Sequence, residues 1–291
     1  MHRRTFLGGS LAAAGLLATT HASRAARATS EASPSAGDDL PTLEIALTDT
    51  GFEFPQPLAA GRYAVLVSNT GTSTDSHFAL GKLPDAVTDA QYDAWIAAEG
   101  EDTDALSFDD IEFVGVPDWP QPGEPSTGVV DLAPGRYFLF DPFDARGYMT
   151  IAVDGAAPAA GSPEPVSDLT VTLREMEIVV PDAAVTTASV RWKIENVGGM
   201  SHEVAVVPVS ADFTEEHLQL LFSLPEDATP PAGTPELVYQ PAAAIGILAK
   251  GHTSWLDVEL KPGRYLAACM LPFGTGYPHA IDGMYRFFDV E

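Results

Sequence analysis

Internal disulfide chemistry is closed to this chain, which holds one cysteine, Cys269, among 291 residues. A fold without cross-links must be held by apolar cores large enough to suffice unaided. Positive charge is scarce as well. Lys and Arg number 15 against 41 Asp and Glu, a formal charge of −26, and the only lysines are Lys82, Lys193, Lys250 and Lys261. Such a surface repels nucleic acid and anionic membrane, and its plain use is solubility. Long hydrophobic runs are also missing. The best candidate, Leu7 to Thr19, is interrupted by Gly8, Gly9 and Ser10 and falls short of the roughly 20 apolar residues that cross a bilayer. No integral membrane segment is therefore expected after it.

What that N-terminal run does resemble is an export signal. His2-Arg3-Arg4-Thr5-Phe6-Leu7 precedes it and Ala26-Arg27-Ala28 closes it, the twin-arginine pattern with a small-residue cleavage site. Residues 1–28 are expected to be a signal peptide and the mature chain to begin near Thr29, in a secreted, periplasmic or cell-surface setting. Loss of Arg3, Arg4, Arg24 and Arg27 leaves 11 basic residues against 41 acidic ones. No cysteine at the cleavage site offers a lipid anchor.

A repeat organises the rest. Leu132-Ala133-Pro134-Gly135-Arg136-Tyr137 returns as Leu260-Lys261-Pro262-Gly263-Arg264-Tyr265, and Asn69-Thr70-Gly71 with His77 returns as Asn196-Val197-Gly198 with His202. Internal spacing is similar in the two copies, as a tandem duplication requires. The run from Gly155 to Pro165 is rich in Ala, Pro, Gly and Ser and lacks an apolar period, so it reads as a linker. The expected division is a linker over 29–40, a first domain over 41–154, a linker over 155–165 and a second domain over 166–291.

Both halves read mainly as strand. Arg62–Val67, Ser189–Ile194, Val204–Val207 and Arg286–Val290 are short, β-branched or aromatic, and bounded by Gly, Pro or Asn. Each half also predicts one short helix. Thr88 can cap a segment with Tyr92, Trp95 and Ile96 on one face, and Thr214 can cap one with Leu218, Leu221 and Phe222. The fold class expected is all-β: two tandem β-sandwiches, each with a helical excursion.

Four residues of the second half carry the chemistry. Cys269 lies at the end of a predicted strand, His279 and Met284 follow it, and His202 shares a strand face with Val204 and Val206. Taken singly, each has a plain reading: a buried thiol, a hydrogen-bonded core histidine, a loop histidine, a packing methionine. Taken together, a thiolate, two imidazoles and a weak thioether form a donor set for one type 1 copper. In the first half His77 remains, but Asp141 falls where Cys269 would, and no second histidine follows. That half is expected to bind no copper, with His77 a remnant and Phe138, Phe140, Phe143 and Tyr148 filling the vacated end, a partner contact there being the alternative.

With Asn-x-Gly, then His, then Pro-Gly-x-Tyr in both halves, and Pro278-His279-Ala280-Ile281-Asp282-Gly283-Met284 at the C-terminal end, the chain resembles the cupredoxins, the plastocyanin-like blue copper proteins. The resemblance implies Greek-key sandwiches, with His202 as the strand ligand and Cys269, His279 and Met284 as loop ligands. The nine residues between Cys269 and His279 make a longer loop than small plastocyanins have. Two-domain relatives that are enzymes resemble a type 1 centre wired to a second copper through His-Cys steps and His-x-His pairs. This chain has neither, since Ala268 and Met270 flank Cys269. His217 and His252 are expected to face solvent. The function expected is therefore an exported carrier of single electrons with one copper, not an enzyme, and with unidentified redox partner proteins. The alternative is a copper-free binding module or a copper-buffering protein.

Overall fold

The computed structural model describes residues 40–74, 77–98, 103–141, 147–156, 163–181, 185, 190–225, 228–273 and 277–291. The expected signal peptide, almost all of the first linker, most of the second linker, Ser189 and Phe143 lie outside them. Among the described residues strands dominate, with two α-helices, Asp89–Ala97 and Glu215–Ser223. Both helices begin at the predicted threonines. Thr88 accepts from the Gln91 amide while Gln91 Oε1 accepts from the Thr88 amide at 2.9 Å, a reciprocal cap that satisfies two otherwise orphaned donors. At the second helix the Thr214 amide donates to His217 Nδ1 at 3.1 Å, so His217 is half-buried and serves as a cap where the sequence predicts a solvent-facing ring. His252 is half-buried as well. Among the described residues no helix is long and apolar enough to cross a membrane.

The strands build the same pattern twice. In the first half Thr42–Leu47 runs parallel to Gly61–Asn69, which pairs antiparallel with Ser126–Leu132. In the second, Leu169–Arg174 runs parallel to Val190–Asn196, which pairs antiparallel with Thr253–Val258. One ion pair recurs at the same register. Arg62 meets Asp131 across the first antiparallel pair, and Arg191 meets Asp257 across the second, each with Nε to carboxylate at 2.7 Å.

The repeated Gly-Arg-Tyr also has a structural cause. Tyr137 donates its hydroxyl proton to the carbonyl of Ala133 at 3.0 Å, and Tyr265 to that of Lys261 at 2.9 Å, fixing the turn four residues upstream as a tyrosine corner does. A third copy, Leu58-Ala59-Ala60-Gly61-Arg62-Tyr63, does the same through Tyr63 and Ala59 at 2.6 Å.

The two triplets join where Trp255 faces Val129 and Leu256 faces Gly128, so eight strands form one continuous sheet across the halves. The repeat gives no sign of that join. A five-stranded sheet, which includes Ala79–Lys82 and Gly135–Phe140, covers one part of it. A four-stranded sheet of Ala243–Leu248, His202–Val209, Gly263–Ala268 and Tyr285–Val290 covers the other. Alternate residues meet between the layers. Ile45, Val65 and Val67 pack with Leu80, Leu139 and Ile151 in one cluster; Val171, Trp192 and Ile194 pack with Val204, Val206 and Ala267 in another. Phe138 is buried against Tyr92 and Trp95 of the first helix, ring centroids 5.2 and 5.8 Å away, while Tyr148 is 44% exposed.

Candidate metal centre

The approach to His202 is set by Asn196. Its Oδ1 accepts from the Gly198 amide at 3.0 Å, and its Nδ2 donates to the carbonyls of Met200 and Leu248 at 2.8 and 2.9 Å. Asn69 makes the same turn in the first half, bonding Gly71 at 3.0 Å and Ser73 at 2.6 Å. An Asn side chain that imitates a backbone turn, with Gly two residues on, explains why that triplet recurs. His202 then opens its strand at a register shift against Ala243–Leu248, the kind of irregularity that re-aims a side chain.

Cys269 follows the Gly263–Ala268 strand directly, and His279 begins a short 3₁₀ turn, His279–Asp282. Gly283 closes that turn at φ 103°, a left-handed conformation that costs a residue with a side chain. Met284 comes next and leads into Tyr285–Val290. The backbone ties these segments together: the Cys269 amide donates to Met284 O at 3.1 Å, Met284 to His279 O at 3.0 Å, and Ala280 to Cys269 O at 2.9 Å.

Three of the four expected residues converge on one point. His202 Nδ1 lies 3.2 Å from His279 Nδ1, which lies 3.4 Å from Cys269 Sγ. All three donor atoms fall within 4.8 Å of one another, and this is the one such group of His, Cys, Asp or Glu among the described residues. Donors held about 2.0–2.3 Å from a tetrahedral ion stand about 3.3–3.8 Å apart, so the spacing suits a shared metal. Met284 is fully buried in the same core cluster as Cys269.

Electrostatics agree with the spacing. The three donor residues are at most 2% exposed. Burial, then the neighbouring His279 ring, pulls His202 down to about 4, and burial lowers His279 too. Both rings are therefore neutral at neutral pH, with lone pairs available. Burial, followed by the charge of Glu203, pushes the Cys269 thiol well up. A thiol so placed keeps its proton until a cation replaces it. His202 Nε2 is buried with no hydrogen-bond partner among the described residues, while Nδ1 is the nitrogen that faces His279.

Two buried acidic residues, one at the site and one in the first half, escaped the sequence reading. Glu203 is buried, directs its amide at Cys269 Sγ at 3.5 Å, and accepts from the Met270 amide at 3.1 Å. Asp118 is paired with His77 Nδ1 in the first half. Position 203 follows a predicted ligand and could have been flagged; Asp118, 41 residues from its partner, has no local signal. Asp141 does follow the Gly135–Phe140 strand as Cys269 follows its counterpart, and it is buried.

No family model and no curated protein matches the chain. Among solved structures it is similar to a dithionite-reduced auracyanin from the photosynthetic bacterium Roseiflexus castenholzii, with 19% identity over 44% of this chain and 99% of that one, TM-score 0.27. It is similar to an auracyanin B, at 19% identity over 45% and 95% of the two chains, TM-score 0.26. Azurin Az-iso2 from the obligate methylotroph Methylomonas sp. strain J is similar at 17% identity over 42% and 95%, TM-score 0.27.

Proposed function

We propose that this chain is an exported blue-copper protein of the cupredoxin kind, built as two tandem Greek-key sandwiches, which carries single electrons through one type 1 copper in its second half. The observation that carries the reading is the convergence of His202 Nδ1, His279 Nδ1 and Cys269 Sγ in one buried cluster. Copper, when bound, supplies a Cu(I)/Cu(II) couple.

The protein's own part is positional. His202 and His279 would offer neutral imidazoles to copper, Cys269 would be the strong thiolate donor once its proton is lost, and Met284 would be the weak thioether donor. Met270, which packs in the adjoining apolar cluster, helps keep water from the donors. The lack of His-Cys and His-x-His steps argues against a second, catalytic copper. Residues 1–28 serve as the twin-arginine signal, 41–154 form the copper-free domain and 166–291 the copper domain.

The test is direct. Purified chain titrated with Cu(II) should turn intensely blue at one copper per chain and bleach with ascorbate, and Cys269→Ser should abolish the colour. A colourless wild-type product, or colour that survives Cys269→Ser, refutes the reading and leaves a binding module.

A further inference from the structure

The ion pair of His77 and Asp118 is the buried polar feature that the electron-carrier reading leaves without a role. It sits at the wall between the halves. Asp118 donates its amide to Ala244 O at 3.0 Å, and Gly246 donates to Val116 O at 2.9 Å, so the first half is laced to the Ala243–Leu248 strand. Gly246 makes room for the approach: a Cβ there would stand 3.2 Å from Phe78 O and 3.5 Å from Asp118 Oδ2. The strand beside it is the one that carries His202 and Glu203, and its Ala205 and Val207 pack with Trp119, whose ring lies 4.7 Å from that of His77.

Glu203 links this wall to the metal centre. It is the next residue after His202, and it holds the amide of Met270, the next residue after Cys269. Asp118 is held in turn, since its Oδ1 accepts from the amides of Phe78 and Trp119 at 3.2 and 2.8 Å. The charges that act on His77 are those of Asp118, Glu203 and Asp141. Burial alone would lower it, but Asp118's charge and bond, with Glu203 and Asp141, outweigh that and raise it to about 9. His77 is thus a cation at neutral pH, in a wall that otherwise concentrates carboxylates.

We propose that His77 is a positioning residue for the metal centre: as the ion-pair partner of Asp118 it fixes the wall between the halves, against which the strand that carries His202 is packed. On this view the first half helps to set the electron affinity of an ion bound in the second. The inference rests on the copper reading above.

The experiment uses the full copper-loaded chain. Redox titration at pH 7 compares wild type, His77→Gln and Ser254→Ala; Ser254 also bonds across the halves, to Gly115 O at 2.5 Å and Val129 O at 3.2 Å. All three should keep one copper. Removing a buried cation favours the oxidised ion, so His77→Gln should lower the one-electron reduction equilibrium about tenfold, about 59 mV, while Ser254→Ala keeps the wild-type potential. A wild-type potential in His77→Gln, or an equal shift in Ser254→Ala, overturns the proposal.

A metal-free measurement keeps it testable if His77→Gln does not fold. By NMR, the His77 ring of the apo protein should titrate well above 6.5, and Asp118→Asn should lower that midpoint. An unchanged midpoint overturns the proposal. Wild-type chain that takes up no copper overturns the electron-carrier reading and this inference with it, whereas copper binding with an unmoved potential overturns the inference alone.

Discussion

Substituting Gly128 with alanine should loosen the join between the halves. Gly128 pairs with Val65 on one side and with Leu256 on the other, so it lies in the middle of the shared sheet. A Cβ there would stand 2.1 Å from the carbonyl oxygen of Trp255 and 2.8 Å from Pro117 Cγ. Both neighbours are held in place, one by the ladder and one by its ring, so the strands must part by about 1 Å to restore ordinary contact. Overpacking of this kind costs about 1–3 kcal/mol. Parting the strands also strains the bonds of buried Ser254 to Gly115 and Val129, and an unmet buried group adds about 1–3 kcal/mol. For a chain of this size the total corresponds to a fall in Tm of about 5–15 °C. Thermal unfolding followed by circular dichroism measures it, with Gly61→Ala as the control because a Cβ there meets only Tyr63, at 3.6 Å and beyond. A Gly128→Ala protein that melts with the wild type would show that the two halves are not held by this contact.

Two further outcomes follow from other parts of the fold. Because His77 is raised from 6.5 to about 9, the folded state holds a proton that the unfolded state releases. Its contribution, on the order of 3 kcal/mol at most, is therefore full below about pH 6.5 and disappears as pH rises through 9. Urea unfolding of metal-free wild type and His77→Gln should show a wild-type advantage at pH 6 that is gone by pH 10, and a constant gap would contradict the assignment. Thr88→Ala removes the side-chain acceptor for the Gln91 amide and should cost about 1 kcal/mol; an unchanged denaturation midpoint would mean that the cap contributes nothing.

The parts of this molecule that the sequence discloses are those set by local chemistry. The helix starts at Thr88 and Thr214 were visible because a capping side chain acts within three residues, and the Asn-x-Gly turns because Asn69 and Asn196 bond two residues on. The placement of His202 beside Cys269 and His279 was legible because strand alternation and the C-terminal motif each point inward. What stayed hidden is what depends on register between distant strands. Nothing near Gly128 or Leu256 marks them as partners, and nothing near His77 names Asp118, so the histidine reads as a remnant until the wall between the halves is seen. His217 was misplaced for a related reason: helical position says which face a ring occupies, but not that it turns back to receive the Thr214 amide.

The shared sheet has a consequence for solubility. Ser126–Leu132 and Thr253–Val258 are the strands at which each triplet would otherwise end, leaving a row of amide and carbonyl groups open to any passing chain. Duplication places these two vulnerable borders against each other, so that each half shields the other from unwanted strand addition. A construction of this kind protects its borders by pairing them with each other, and a truncation that removed either half would expose a template for self-association.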